Sequence, residues 1–391
     1  MNGNIAESTS GLRIQWVDTS KAILIWIIYY VHIQEGFVYK EAFGINGNFD
    51  HGIKILNFLV FFAVPMFFFM SGFLTKEIKT TFRRYFIKKF SSLMIPMYIF
   101  NLFSFVLIVV VRVFYDGLLL EDLRKFPLSK IEQMLVMFTN GVPAFNFPTW
   151  FLTCLFTTSI LYFFVNKFAK TKLRVILSIL FFSVLGYAMQ PLSQSIPNFE
   201  YVIYIWFIPT SITSFTFYLL GSLFREINFF EYVDKNFAVK MIILIISLVI
   251  LFFLNDFFPV RNDPQFHEYR GGPYMNHLVF GNYFVFYIGA FAGIIASSCI
   301  AMSIRPNMLM NYVGQNTLAL LFFVGIFYQF VDPSFAFIVV KYFSNISFMS
   351  FLLISAFFAI LQVGMSLPFV QKISKSVDFT KNLFYNRFDF K

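Results

Sequence analysis

In the stretch RIQWVDTSKAILIWIIYYVHIQE, residues 13–35, Lys21 stands at the mouth of an apolar run and His32 eleven positions further along inside it. Eleven residues are about three helical turns, so both project from nearly the same face of one helix, ~16 Å apart along its axis. That gap is long for a direct contact. It suits one extended ligand, anchored by phosphates at Lys21 with its reactive end at His32. Each residue also has a plainer reading. A lysine at the mouth of an apolar helix is commonly an anchor that reaches to lipid headgroups. A histidine inside such a helix is expensive and points to a functional site, with a helix–helix hydrogen bond as the structural alternative. Glu35, one turn beyond His32, either fixes the imidazole tautomer or sits in water at the helix end.

Further candidates follow along the chain. FFAVPMFFFMSGFLTK carries Pro65, a bend point, and the pair Ser71-Gly72. Gly72 has no side chain to hold off a neighbouring backbone or a ligand, and close helix packing is its commoner use. The densest basic stretch, KEIKTTFRRYFIKKF, comes next with Lys76, Lys79, Arg83, Arg84, Lys88 and Lys89. Such clusters hold anionic lipid, and Arg84 and Lys88 at i and i+4 also suit a polyphosphate. Pro148 and Trp150 open a later apolar run, where an indole is either an interface anchor or a platform for a sugar face. The polar segment 259–277 holds His267, Glu268, Arg270 and His277, a loop or lid on the acceptor side whose spacing is too loose for a metal site.

These residues need elements to carry them. The chain of 391 residues is 58% hydrophobic and 13% charged, with mean hydropathy +0.72, which excludes a soluble domain and gives an all-α polytopic membrane protein. Its 61 Phe and 20 Tyr read as lipid-facing and packing material. About ten transmembrane helices are expected, near 20–38, 53–75, 92–114, 148–166, 173–190, 201–224, 239–258, 279–301, 315–340 and 346–370, as one integral-membrane domain over 1–391. The ninth is the least regular, interrupted by Asp332 and Pro333, whose charge lies in a cavity or marks a turn. An amphipathic piece is expected around Ile131–Phe138 in the longest connection, about 112–147. Most of the 30 Lys and Arg fall on one side if the N-terminus is cytoplasmic, so both termini are expected there. The net charge of +10 is met by that asymmetry and by membrane lipids, so no nucleic acid is expected. Cys154 and Cys299 lie in apolar runs and suggest neither a disulfide nor a metal, and no cleavable leader is expected.

The order Arg13, Asp18, Lys21, His32, then FFFMSGF at 67–73, a basic run closing on Ile95-Pro96, TWFL at 149–152 and NYVGQNTLAL at 311–320 resembles the membrane-bound acyltransferase-3 family, in its fucose 4-O-acetylase-like branch. In that family the first helix carries Arg or Lys, ten intervening residues and His, which Lys21 and His32 match. The resemblance spans the chain, with specific motifs over about a tenth of it. It implies O-acylation, most simply O-acetylation, of a sugar hydroxyl on a cell-envelope polysaccharide (O-antigen or exopolysaccharide) or its lipid-linked precursor, at the bacterial inner membrane. Acetyl-CoA would be the donor, without a metal. His32, helped by Glu35, would be the general base, with transient acylation of His32 as the alternative route. Lys21, Ser71, Gly72, Arg83, Arg84, Lys88 and Lys89 would hold the donor, and Trp150 the acceptor. One departure is that members often carry a His where this chain has Val324, flanked by Phe323 and Gly325. Two other classes stay open: an exporter of polysaccharide or lipid-linked sugar, and an inactive relative acting in envelope assembly.

Overall fold

A computed structural model describes residues 14–36, 53–115, 128–195, 205–254, 261–263, 267–269, 275–278, 280–305, 307–343 and 347–388. Apolar runs longer than the ~20 residues that cross a bilayer become helices, because in lipid every backbone N–H and C=O must be bonded within its own segment. The helices in chain order are α1 (Gln15–Gly36), α2 (Ile53–Leu74), α3 (Phe82–Lys89), α4 (Ile95–Phe114), α5 (Lys130–Asn140), α6 (Trp150–Phe168), α7 (Lys172–Ser195) and α8 (Ile208–Glu226). They continue as α9 (Phe229–Lys235), α10 (Phe237–Leu254), α11 (Tyr283–Ser303), α12 (Met308–Gln315), α13 (Thr317–Phe330), α14 (Asp332–Tyr342) and α15 (Phe348–Phe388).

Among the described residues, seven helical segments are long and apolar enough to cross a membrane, or eight if the bent pair α12–α13 counts as one span. Among the described residues the only strands form a small antiparallel hairpin, Arg261–Asp263 with His267–Tyr269. The ninth expected span is not one rod. It bends by 76° between α12 and α13 and breaks again at Val331, where Asp332 and Pro333 start α14. The amphipathic piece is α5, opened by a capping box. Ser129 Oγ accepts from the Glu132 N–H at 3.3 Å, and Glu132 Oε2 accepts from the Ser129 N–H at 2.7 Å.

α3 and α4 are joined through a π turn, Phe90–Met94, in which the Ile95 N–H bonds to the Phe90 carbonyl. Pro96 follows at once, and the widened turn accommodates a residue with no N–H to give and a ring that crowds the preceding turn. The joined helix, Phe82–Phe114, has 33 residues. At 1.5 Å per residue it is ~50 Å long, well beyond the ~30 Å apolar core of a bilayer. α15 is longer still, and the two extensions meet where Phe90 stacks on Phe384 at 5.6 Å.

The core is aromatic. Phe61, Phe68 and Phe69 of α2 and Phe215 and Phe217 of α8 are fully buried, whereas α7 and α10 turn mostly apolar, exposed side chains outward. Cys154 and Cys299 are buried free thiols. α2 and α8 meet with almost no space between backbones: a Cβ on Gly72 would lie 1.8 Å from the Tyr218 carbonyl oxygen.

Candidate functional site

α1 is the spine of the site, and its register is fixed at both ends. At the Lys21 end the Asp18 backbone lies against Gly314, where a Cβ would come within 2.0 Å of the Asp18 carbonyl oxygen. Tyr29 then donates to the Leu320 carbonyl of α13 at 3.0 Å and bonds Ser366 of α15 at 3.0 Å. At the other end the His32 ring packs on Tyr328 of α13, centroids 4.6 Å apart. α1 and α13 therefore run in the same direction, and α15 runs against them.

His32 Nδ1 and Glu35 Oε2 are 2.8 Å apart, with the two side chains 13% and 19% exposed. One helical turn brings them together, as the i and i+3 spacing requires. A carboxylate can only accept, so Nδ1 carries the hydrogen of this bond, and in the neutral imidazole Nε2 keeps its lone pair. A neutral imidazole in that tautomer can take a proton from a hydroxyl.

Asp332 is the group whose place the sequence left open. It is buried, and its carboxyl group is bonded by the Gln362 amide of α15. Tyr328 and Gln362 were not singled out in the sequence. A tyrosine in an aromatic-rich span and a glutamine thirty residues beyond Asp332 announce nothing until the helices pack.

Lys21 is three turns from His32 on the same helix. Its Nζ lies 3.8 Å from an Asp18 carboxylate oxygen, and its side chain is partly exposed. Buried Ile25 and half-buried Ile28 line the face between Lys21 and His32. The basic run lies at the same end as Lys21. Arg83, Arg84 and Lys88 are exposed on α3, and half-buried Lys89 has its Nζ 5.6 Å from the Tyr85 ring centre. α3 carries Arg84 and Lys88 on one face, and α15 brings Lys372, Lys375 and Lys381 toward the same end. Ser71 is half-buried and donates to the Phe67 carbonyl at 2.8 Å, and Gly72 faces α8.

Trp150 is buried, its ring 5.7 Å from Phe207. Phe207 and its neighbour Trp206 both have left-handed backbone, φ 49° and 51°, at a typical cost of about 1–3 kcal/mol each. Just ahead of Trp150, Asn101 of α4 ties the incoming loop down. Its Oδ1 accepts from the N–H groups of Phe145 and Asn146, and its Nδ2 donates to Met97 O and Thr149 Oγ1. Asn146 in turn donates to the Phe322 carbonyl of α13 and to Ser104. Neither Asn101 nor Asn146 was expected, although a lone amide in an apolar span is a signal worth weighing. Val324 is buried, in the same apolar cluster as Tyr29 and Ile33.

The polar segment is described as the hairpin and a short turn, Met275–His277; Arg270 and Arg13 lie outside the described residues. Among the described residues no group of three or more His, Cys, Asp or Glu gathers as a metal site would require.

No curated protein and no solved structure matches the chain. The family model for an acyltransferase domain, acyltransferase-3, matches residues 14–365 and so takes in every helix from α1 to α14 and part of α15. Among the function classes left open by the sequence, that match selects an enzyme. The chain belongs to the acyltransferase-3 family and is a membrane acyltransferase that transfers acyl groups other than aminoacyl groups.

Proposed function

We propose that this enzyme is an O-acyltransferase, most simply an O-acetyltransferase of the fucose 4-O-acetylase-like branch. It would move the acyl group from acetyl-CoA to a sugar hydroxyl of a cell-envelope polysaccharide or its lipid-linked precursor. The observation that carries this reading is the 2.8 Å contact between His32 Nδ1 and Glu35, which leaves Nε2 as a base at the far end of the helix that begins at Lys21. Ten spans with both termini in the cytoplasm, in one domain over 1–391 at the bacterial inner membrane, put Lys21 and the basic run on the donor side. The ~16 Å between Lys21 and His32 then fits a donor that enters by its phosphates and extends its thioester across the membrane.

In the transfer, Nε2 of His32 takes the hydroxyl proton as the sugar oxygen attacks the thioester carbonyl. The new C–O bond forms, the C–S bond breaks, and the thiolate leaves and is protonated. Glu35 holds the imidazole and faces the positive charge that develops on it. Lys21, Arg83, Arg84, Lys88 and Lys89 bind phosphate, Ser71 and Gly72 stand at the donor end of α2, and Trp150 shapes the acceptor side. Free thiol released from acetyl-CoA in the presence of envelope glycan, measured on purified protein, tests the reading. Release is expected from the wild type and none from His32→Ala folded in the same membrane fraction; full activity in that variant would refute the assignment.

A further inference from the structure

We propose that Tyr328 is a positioning residue of this same site, the side chain that fixes the tilt of the His32 imidazole and holds Nε2 at its working place. The inference rests on the acyltransfer reading above. It starts from what one hydrogen bond leaves undone. Nδ1 of His32 is bonded to Glu35, its neighbour on α1, at 2.8 Å. That bond sets the tautomer, but a ring held at one atom can still tilt about it. A general base has to keep its nitrogen within hydrogen-bond reach of the hydroxyl, and a displacement of about 1 Å can cost about 100-fold in rate. A second contact, made from another helix, removes the remaining freedom.

Tyr328 of α13 makes that contact. It is buried, its ring centroid lies 4.6 Å from that of the imidazole, and the two planes are inclined at 47°. The separation is at the short end of the range of about 4.5–7 Å over which aromatic rings pack. α13 is in turn held on two sides. About two turns before Tyr328, the Leu320 carbonyl accepts from Tyr29 of α1 at 3.0 Å. Between them, the Phe322 carbonyl accepts from the Asn146 amide at 3.1 Å, and a Cβ on Gly325, one turn before Tyr328, would collide with the same amide. Asn146 belongs to the buried loop that leads into Trp150, on the acceptor side in the reading above. One short helix therefore grips the imidazole at Tyr328 and the acceptor-side loop at Phe322 and Gly325. The ring contact sets where Nε2 stands relative to that loop, which a hydrogen bond within α1 cannot do.

The test compares wild type, Tyr328→Phe and Tyr328→Leu as full-length protein in detergent, by acetyl-CoA thiol release with envelope glycan and by thermal unfolding. Tyr328→Leu is expected to lower kcat about tenfold or more with little change in the KM for either substrate. Tyr328→Phe keeps the ring and should restore most of the rate. Tyr328→Met fills more of the space and carries the comparison if Tyr328→Leu does not fold. Phe323→Leu, a truncation on the same helix at a ring that packs against Phe369 of α15, is the control: it should lower Tm and leave kcat near wild type. In a Glu35→Ala background, Tyr328→Leu should cost less than it does alone, because both contacts hold one ring. Wild-type kcat in Tyr328→Leu, a Tyr328→Phe as slow as Tyr328→Leu, or losses that simply multiply in the double variant would overturn the proposal while leaving the acyltransfer reading intact. So would an equal loss of kcat in Phe323→Leu, which would tie the rate to the packing of α13 alone. A wild type that releases no thiol with a competent acceptor would instead overturn the acyltransfer reading, and this inference with it.

Discussion

Replacing Glu35 isolates what the imidazole gains from its carboxylate. The hydrogen bond to His32 Nδ1 is 2.8 Å long, and the side chains are 13% and 19% exposed, so water screens it only in part. A hydrogen bond to a charged group in that setting contributes about 1.5–3 kcal/mol. If it is realised as charge develops on His32, losing it lowers kcat by about 10- to 150-fold, at 1.36 kcal/mol per tenfold. Glu35→Gln keeps the shape and an oxygen that can accept from Nδ1, so it should fall near the lower end, and Glu35→Ala near the upper. Thiol release at saturating donor and acceptor, with kcat and KM resolved, reads the effect. An interaction made only in the transition state lowers kcat and kcat/KM together. Wild-type kcat in Glu35→Ala would show that His32 needs no orienting carboxylate, and the tautomer argument would fail.

Two other expectations concern the scaffold. Asn101→Ala strands the buried N–H groups of Phe145 and Asn146 and should cost ~2–6 kcal/mol, seen as a markedly lower Tm in detergent; an unchanged Tm would mean that water replaces the amide. Glu132 is held below its ordinary value of 4.5 mainly by the Ser129 N–H it accepts from, then by the Ser129 side chain. A depressed folded value means support present above about 4.5 and lost as pH falls through the folded value. The Tm advantage of wild type over Glu132→Gln should therefore be present at pH 7 and vanish in strong acid, and a pH-independent difference would contradict the capping role.

Apolar runs were the most legible feature, because the bilayer sets their length. The expected 148–166 is Phe147–Phe168 in the structure, and 279–301 corresponds to Tyr283–Ser303. Glu35 could be paired with His32 because i and i+3 on a helix are neighbours whatever the tertiary fold. Asp332 could not be assigned, because its partner Gln362 lies on another helix, α15. The 76° bend at Asn316 was equally hidden. No proline marks it; Asn316 donates locally to the Tyr312 carbonyl, and a tertiary contact joins it to α15, where its Oδ1 accepts from Ser374. Gly72 shows the opposite case, where the packing use of a small residue was foreseen and its partner, the Tyr218 carbonyl, was not.

The broken ninth segment explains how one straight helix can have a different chemistry at each end. A single rod antiparallel to α15 would cross α1 once and meet it along one short stretch. Two breaks give three short helices, each free to meet α1 at its own angle. α12 approaches near Asp18, where Gly314 allows backbone contact beside Lys21. α13 follows α1 from Tyr29 to His32. α14 starts with Asp332, so the break also places a buried acid against Gln362 of α15. The irregular backbone is tolerated at membrane depth because it is buried in protein, with the Asp332 carboxylate bonded by Gln362. The same interruption that made this span the hardest to read is therefore what lets each of its three pieces pack separately on α1.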